Sequence, residues 1–230
     1  MKILEIKNLE KSFDNKKIID GVSFQIEKGK IVGLLGKNGS GKTTIIKMIN
    51  DLLTIDKGEI LIDGKKISEK TKGIVSYLPE RTYLSSSQKV KDVVEFFDTF
   101  YQDFDKEKAE KLIKELDLDM EMGLNKMSKG MKEKVQLILV MSRRAKLYIL
   151  DEPLGGVDPS TRDYIMQTIL SNFGEDSSLL ITTHLISDVE KILDEVIFID
   201  KGKIVLNENA DELRERENSS IDEIFRSKVK

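Results

Sequence analysis

The sequence predicts an α/β fold. Three observations carry that expectation. Strand-like and helix-like segments alternate along the chain. Short, largely apolar runs recur at 31–35, 148–150, 179–182 and 196–199, the pattern of strands buried in a covered sheet. The first of these runs leads directly into Gly36-Lys37-Asn38-Gly39-Ser40-Gly41-Lys42-Thr43, a glycine-rich turn that opens a helical pattern.

Taken in order, residues 3–6 read as a short strand, with further strand segments at 18–19 and 22–26. Lys28-Gly29-Lys30 is a turn, 31–35 a buried strand and 43–52 a helix. Residues 58–64 form a strand ending in Asp63-Gly64, which predicts a hairpin. A short strand follows at 74–78. From 90 to 141 the helical pattern dominates. Residues 148–150 form a strand running into acidic residues, and strands at 179–182 and 196–199 come next. Lys201-Gly202-Lys203 turns the chain into 204–206. Beyond Asn207 the sequence is charged, so a short helix and a frayed end are expected. The layout is β, then α/β, then an α-rich insert at about 84–145, then α/β and a tail at 207–230. A chain of 230 residues reads as one domain, with the insert as a subdomain.

Composition removes several function classes. Lys and Arg number 38 against 41 Asp and Glu, a net charge of −3. A protein that coats nucleic acid needs a marked basic excess, so no nucleic-acid partner is expected. The chain has no Cys, which removes disulfides, thiolate catalysis and thiolate-held metal centres. Its single His removes a His-rich metal site. Met1-Lys2-Ile3-Leu4-Glu5 begins no apolar leader, and the most apolar run, 135–141, is far short of the ~20 residues that span a bilayer. The expectation is a soluble, cytoplasmic protein that reaches a membrane only through a partner.

The glycine-rich turn fits G-x-x-x-x-G-K-[ST] between a buried strand and a helix start. Its glycines let the backbone curl so that N–H groups converge on phosphate oxygens. The helix start adds a positive dipole end, Lys42 a point charge for the β- and γ-phosphates, and the Thr43 hydroxyl a ligand for Mg²⁺. Thr44 stands next in the same helix turn and joins the phosphate-binding set.

Leu147-Tyr148-Ile149-Leu150-Asp151-Glu152 is an apolar strand delivering two carboxylates at its C-terminal end, the edge where open α/β sheets bind ligands. Asp151 is placed for Mg²⁺, and Glu152 for a general base toward a water attacking the γ-phosphate. A solvated strand end is the plainer reading of such a pair taken alone. His184 follows the strand at 179–182 and is directed at the same edge, where it can contact the γ-phosphate and orient the water; alone it would read as a packed or capping His. Pro79, Pro153 and Pro159 each stand beside one of these segments, where a rigid turn is useful.

In this order the motifs resemble the nucleotide-binding subunit of an ATP-binding cassette (ABC) transporter, over about residues 3 to 206. Gly36 to Thr43 looks like Walker A, and Tyr148 to Glu152 like Walker B. Met127-Ser128-Lys129-Gly130-Met131 stands where the Leu-Ser-Gly-Gly-Gln signature belongs. Gly156-Val157-Asp158 looks like the D-loop, His184 like the switch histidine, and Ser76-Tyr77-Leu78-Pro79-Glu80 falls at the Q-loop. Phe13 falls where the family stacks an aromatic on adenine. The resemblance implies a P-loop NTPase of the ABC type, with a mostly parallel core sheet, an antiparallel β subdomain and an α-helical subdomain. It implies ATP and Mg²⁺, with Glu80 beside Thr43 and Asp151 at the metal and beside Glu152, His184 and Lys42 in catalysis. It implies that Ser128, Lys129, Gly130 and Asp158 meet ATP held by a second cassette, in a homo- or heterodimer. The other implied partner is an integral membrane permease, which would hold the subunit on the inner face of the cell membrane.

This sequence departs from the pattern at three places. Glu80 replaces a Gln, which keeps an oxygen for Mg²⁺ and adds negative charge. Lys129 and Met131 replace a Gly and a Gln, and Lys129 either offsets charge at the nucleotide or points to solvent. Gly155 stands where the D-loop often has Ser. Phe96, Phe97, Phe100, Tyr101 and Phe104 are expected on one side of a helix, as the core of the helical lobe. Their other reading is a groove, shared with 81–88, for a helix of the membrane subunit. The expected function is an ATPase that powers a separate membrane subunit, its variants looking like those of bacterial exporters. The alternative is a soluble ABC ATPase acting on a protein scaffold, as in iron–sulfur assembly.

Overall fold

The computed structural model describes residues 1–174 and 176–229. Strands β1 (Lys2–Phe13) and β2 (Lys16–Glu27) form one long antiparallel hairpin. It turns at Asp14 and Asn15, with φ of 46° and 63°. Two consecutive left-handed residues give the turn whose twist suits a tight hairpin. The short segments expected at 3–6, 18–19 and 22–26 are therefore parts of two continuous strands. Register shifts, including one between Ile6 and Leu9, break the alternation that the sequence pattern relies on.

β3 (Ile31–Leu35) is buried throughout and leads through the glycine-rich turn into α1 (Lys42–Ile49). This helix stops short of the expected 52. Asn50 caps it and Asp51 adopts φ 57°, turning the chain before the exposed Leu52. β4 (Lys57–Ile62) reverses at Asp63-Gly64, with φ of 50° and 72°, into β5 (Lys65–Lys66). The four strands form an antiparallel sheet ordered β2-β1-β4-β5. A single turn, α2 (Glu69–Lys72), is capped by Ser68 and precedes β6 (Val75–Leu78).

The helical segment follows as α3 (Val90–Phe100), α4 (Lys106–Glu115), a 3₁₀ turn at Leu124–Lys126, and α5 (Lys129–Met141). These elements share an apolar cluster of their own that includes Val94, Phe97, Ile113, Leu124, Val135 and Ile138. The aromatic stripe does not lie on one helix side. α3 ends at Phe100, so Tyr101 and Phe104 fall in the connection beyond it. There their rings close around buried Phe97, at 5.1 and 5.5 Å. Phe96 and Phe100, one turn apart on another face, stack at 4.5 Å and stay exposed. Only Phe97 among these five is a fully buried core residue.

The remaining elements are β7 (Leu147–Asp151), α6 (Pro159–Asn172), β8 (Ser178–Thr183), α7 (Ile186–Val189), β9 (Glu195–Asp200) and β10 (Lys203–Asn209). They complete a six-stranded sheet ordered β10-β9-β3-β8-β7-β6, in which only the edge strand β10 is antiparallel. One apolar layer joins this sheet to α1 and the antiparallel sheet. The other joins it to α5, α6 and the C-terminal helices. Because β3, β7 and β8 run parallel, the residues that follow each of them meet at one edge of the sheet.

The tail is more ordered than its charge suggests. α8 (Ala210–Glu217) and α9 (Ile221–Lys228) are separate helices joined through left-handed Asn218. Ser220 and Glu223 form a reciprocal cap on α9. Leu213, Ile221, Ile224 and Phe225 are buried against the sheet, and the Phe225 ring stands edge-on to Phe198 at 5.2 Å. The expected frayed end is thus corrected as far as Val229, which is buried; Lys230 lies outside the described residues.

Candidate active site

The glycine-rich turn is shaped by backbone geometry that side chains would block. Gly41 has φ 112°, and a β-carbon there would sit 2.5 Å from Ile19. A β-carbon on Gly36 would lie 2.6 Å from the Ile199 carbonyl. Only glycine permits this curl against β9 and β2. Ser40 ties the turn to the sheet: its N–H donates to the Lys37 carbonyl, and its carbonyl accepts from Gly202 N–H. Ser40 Oγ is buried with no partner, aimed into a loop whose helix-start N–H groups also lack intrahelical acceptors. Such a loop is an anion cradle.

Lys42, only 4% exposed, folds its ammonium back over the turn. It donates to the Gly36 carbonyl at 2.7 Å and to that of Lys37 at 3.3 Å, and lies 3.1 Å from Glu152 Oε1. Glu152 Oε2 accepts from the backbone N–H of His184 at 3.2 Å and lies 2.8 Å from its Nδ1. Lys42, Glu152 and His184 thus form one connected chain across the ends of β3, β7 and β8. Glu152 holds φ 50°, an uncommon backbone state for a side chain of its size. The strain is held by Thr182, whose carbonyl and Oγ1 both accept from the Glu152 N–H.

Thr182 also donates its hydroxyl to Asp151 Oδ1 at 2.6 Å. Thr43 Oγ1 approaches the same oxygen at 3.4 Å. Asp151 is 1% exposed, and its second oxygen, Oδ2, has no partner. Burial pushes the Asp151 carboxyl above its ordinary range, with the Thr182 and Thr43 hydroxyls acting in the opposite direction. Asp151 and Thr43 are hard-oxygen donors, a fit for a cation that completes its shell with water and phosphate oxygens. Among the described residues, no group of three or more His, Asp or Glu side chains could hold a metal unaided.

A cleft of about 1200 Å³ gathers most of the expected site. Asn38, Gly39, Gly41, Lys42, Thr43 and Thr44 form its floor. Glu152, His184, Glu80, Lys129, Ile18 and the half-exposed Phe13 also line it. Gly36, Lys37, Ser40 and Asp151 belong to the loop and strand end behind this surface and do not line it. The Lys129 side chain is 70% exposed, lines the cleft and pairs with Glu133 at 3.5 Å.

Ser128, Gly130 and Asp158 do not line the cleft. Ser128 caps α5, its Oγ accepting from Met131 N–H at 3.2 Å. Asp158 caps α6 and accepts from Ser160 and Thr161, bonds that hold its carboxyl below the usual range. Gly130 faces Thr161 and Asp158 across the two helix starts. These residues make a second cluster, two helix N-termini side by side.

The sequence reading missed Thr182, which positions both carboxylates. Its signal was present: an aliphatic strand that turns to Thr182-Thr183 where it reaches the site edge. It also placed 81–88 in the groove beside α3. That groove, of about 560 Å³, takes only Tyr83 from the segment, along with Tyr77, Phe96, Phe97, Tyr101 and Arg143. Arg81 and Thr82 instead line the phosphate cleft.

Comparison with known proteins agrees with this geometry. Residues 19–155 match the sequence profile of the ABC transporter family. The ABC transporter ATP-binding protein YtrB of Bacillus subtilis is 33% identical over 93% of this chain and 74% of its own length. The SkfA peptide export ATP-binding protein SkfE of Bacillus subtilis is 31% identical over 89% of this chain and 88% of its own. A solved structure of an ATP-binding subunit of an ABC transporter superposes with a TM-score of 0.89 at 25% identity, covering 99% of this chain and 100% of that one. The phosphate loop, the carboxylate-bearing strand end and these matches coincide: the chain belongs to the ABC transporter family, as an ATP-binding protein that hydrolyses ATP.

Proposed function

We propose that this chain is the ATPase subunit of an exporter, driving a separate membrane-spanning subunit from the inner face of the cell membrane. The observation that carries the reading is the chain Lys42–Glu152–His184 set across the phosphate loop at one sheet edge. In the proposed site, the triphosphate lies on the loop from Gly36 to Thr44, with Lys42 turned from Glu152 toward the β- and γ-phosphates. Phe13 stacks on adenine. Glu152 takes a proton from water while that oxygen bonds to the γ-phosphorus, and the bond to the bridging oxygen breaks to leave ADP and phosphate. His184 holds the water and the γ-phosphate in line.

Thr43, Asp151 and Glu80 would hold Mg²⁺, and the partnerless Asp151 Oδ2 supports that assignment. Bound there, Mg²⁺ supplies charge neutralisation at the phosphate oxygens. Ser128, Lys129, Gly130 and Asp158 are proposed to meet ATP on a second cassette, because Ser128, Gly130 and Asp158 stand apart from their own cleft. The chain acts as one ATP-binding unit, with a helical lobe at about 84–145 and a tail at 207–230. Export is supported by the relative named for SkfA peptide export. A membrane partner is supported by the aromatic groove beside α3, where Tyr83 and Phe96 are half exposed. Among the described residues no helix is long and apolar enough to cross a membrane, so the spanning part falls to another chain in this reading.

Steady-state phosphate release tests the chemistry. Glu152→Gln is expected to bind MgATP and lose about 10²-fold or more in turnover, as removal of a general base does. Lys42→Ala is expected to weaken ATP binding itself. Unimpaired turnover in Glu152→Gln would remove that residue from the base role.

A further inference from the structure

Beside Phe13 lies an ion pair between a buried Lys and a half-exposed carboxylate, which the proposed hydrolysis does not use. Lys11 lies two residues before Phe13 near the end of β1, and its side chain is only 8% exposed. Its ammonium sits 2.6 Å from Asp56 Oδ1, 3.4 Å from Thr54 Oγ1 and 5.5 Å from the centroid of the Phe13 ring. Asp56 Oδ2 accepts from the Ser12 N–H at 2.7 Å, and the Asp56 N–H donates to the Glu10 carbonyl at 3.2 Å. One carboxylate therefore clamps the backbone on the N-terminal side of the ring and fixes the cation beneath it. Phe13 lines the cleft, whereas Lys11, Thr54 and Asp56 do not. The ammonium therefore meets the ring from outside the cleft lining.

Phe13 needs such support. It is 44% exposed and next to the left-handed Asp14-Asn15 turn. A free aromatic side chain in that place must be ordered when a base stacks on it, which subtracts from affinity. An ammonium over the ring holds it by its quadrupole, and desolvation strengthens the attraction. The pair would otherwise be an unexplained cost, since removing a Lys from water requires compensation. We propose that Lys11, held by Asp56, is a positioning residue that pre-orders Phe13 for the nucleotide base and thereby sets the base-dependent part of nucleotide affinity. The inference rests on the reading of Phe13 as the adenine platform.

The test is titration calorimetry on the full chain with two probes, MgATP and magnesium tripolyphosphate, which has no base. Lys11→Met and Asp56→Asn are each expected to weaken MgATP about fivefold and to leave tripolyphosphate unchanged. Lys11→Arg, which can pair with Asp56 and stack on the ring, is expected to restore most of the loss. In a Phe13→Ala background, Lys11→Met should have no further effect on MgATP. If Lys11→Met is unstable, Asp56→Asn carries the same comparison, since the ratio of the two probes is unaffected by the fraction folded. Equal losses for both probes, no loss for MgATP, or an undiminished loss in the Phe13→Ala background would overturn the proposal. Should Phe13→Ala leave MgATP affinity unaltered, the adenine platform itself falls. Should Phe13→Ala weaken MgATP while Lys11→Met does not, the platform stands and only the positioning role falls.

Discussion

Asp151, proposed to meet Mg²⁺, occupies a place that costs stability. It is buried, and one of its oxygens faces no partner in the protein. An ionised carboxylate so placed is costly until a cation reaches it. Asp151→Asn keeps an oxygen for the Thr182 hydroxyl and removes the charge. It is expected to stabilise the nucleotide-free protein by about 1 kcal/mol, a rise of a few degrees in Tm by calorimetry. MgATP turnover should fall to background in the same variant. A lowered Tm would show that the charge is compensated in a way this geometry does not contain. Thr182 works at the same scale, since one hydroxyl orients Asp151 and holds the strained Glu152 backbone.

Among the elements, the junction of the helical segment with the sheet contains a buried guanidinium beside the Ser76–Val140 bond and apolar packing. Arg143, just beyond α5, is 4% exposed. It pairs with Asp103 through two bonds of 3.0 and 3.1 Å. It also donates to the Val75 and Gly73 carbonyls at 2.6 and 2.8 Å, and its guanidinium lies 4.1 Å from the Tyr101 ring centroid. The planar fork bonds β6 and the α3–α4 connection together. Arg143→Ala would strand a carboxylate and two carbonyls, at an expected cost of about 3 kcal/mol or more. Urea denaturation would measure it. Arg143→Lys is expected to recover only part, because an ammonium cannot reproduce the fork. A loss below about 1 kcal/mol for the Ala variant would mean the junction is held by apolar packing and the Ser76–Val140 bond without Arg143.

For the whole molecule, the phosphate cleft and the proposed second cluster lie apart within one chain. The cleft contains the phosphate loop and Glu152, while Ser128 and Asp158 cap neighbouring helices outside it. A second copy, related by a two-fold axis, would bring each cluster to the other's nucleotide. Glu152→Gln with MgATP is therefore expected to elute in gel filtration at roughly twice the apparent mass of the nucleotide-free protein. Adding Ser128→Arg should return it to the smaller form, because a bulky cation at the α5 start would block the approach. A Glu152→Gln protein that stays at the smaller size with saturating MgATP would count against ATP-driven pairing.

The sequence by itself determined where the candidate site residues fall. Gly36 to Thr43, Asp151-Glu152 and His184 were legible because each sits at the end of a short apolar strand, and parallel strands deliver their ends to one edge. Asp63-Gly64 was legible because two left-handed residues demand that composition. What it could not determine were features made by contacts distant in sequence. The Lys11–Asp56 pair joins residues 45 apart, and Arg143 reaches Asp103 across 40. Neither leaves a periodic trace. The tail looked frayed because charge outnumbers apolar residues, yet Ile221, Ile224 and Phe225 share one face that only the sheet could cover. The aromatic stripe failed for the converse reason: spacing suggested a single helix side, and the turn after Phe100 folded two of its rings back onto Phe97. Short-range steric and electrostatic rules are written in neighbouring residues. Burial is decided by which surfaces meet, and that is a property of the folded chain alone.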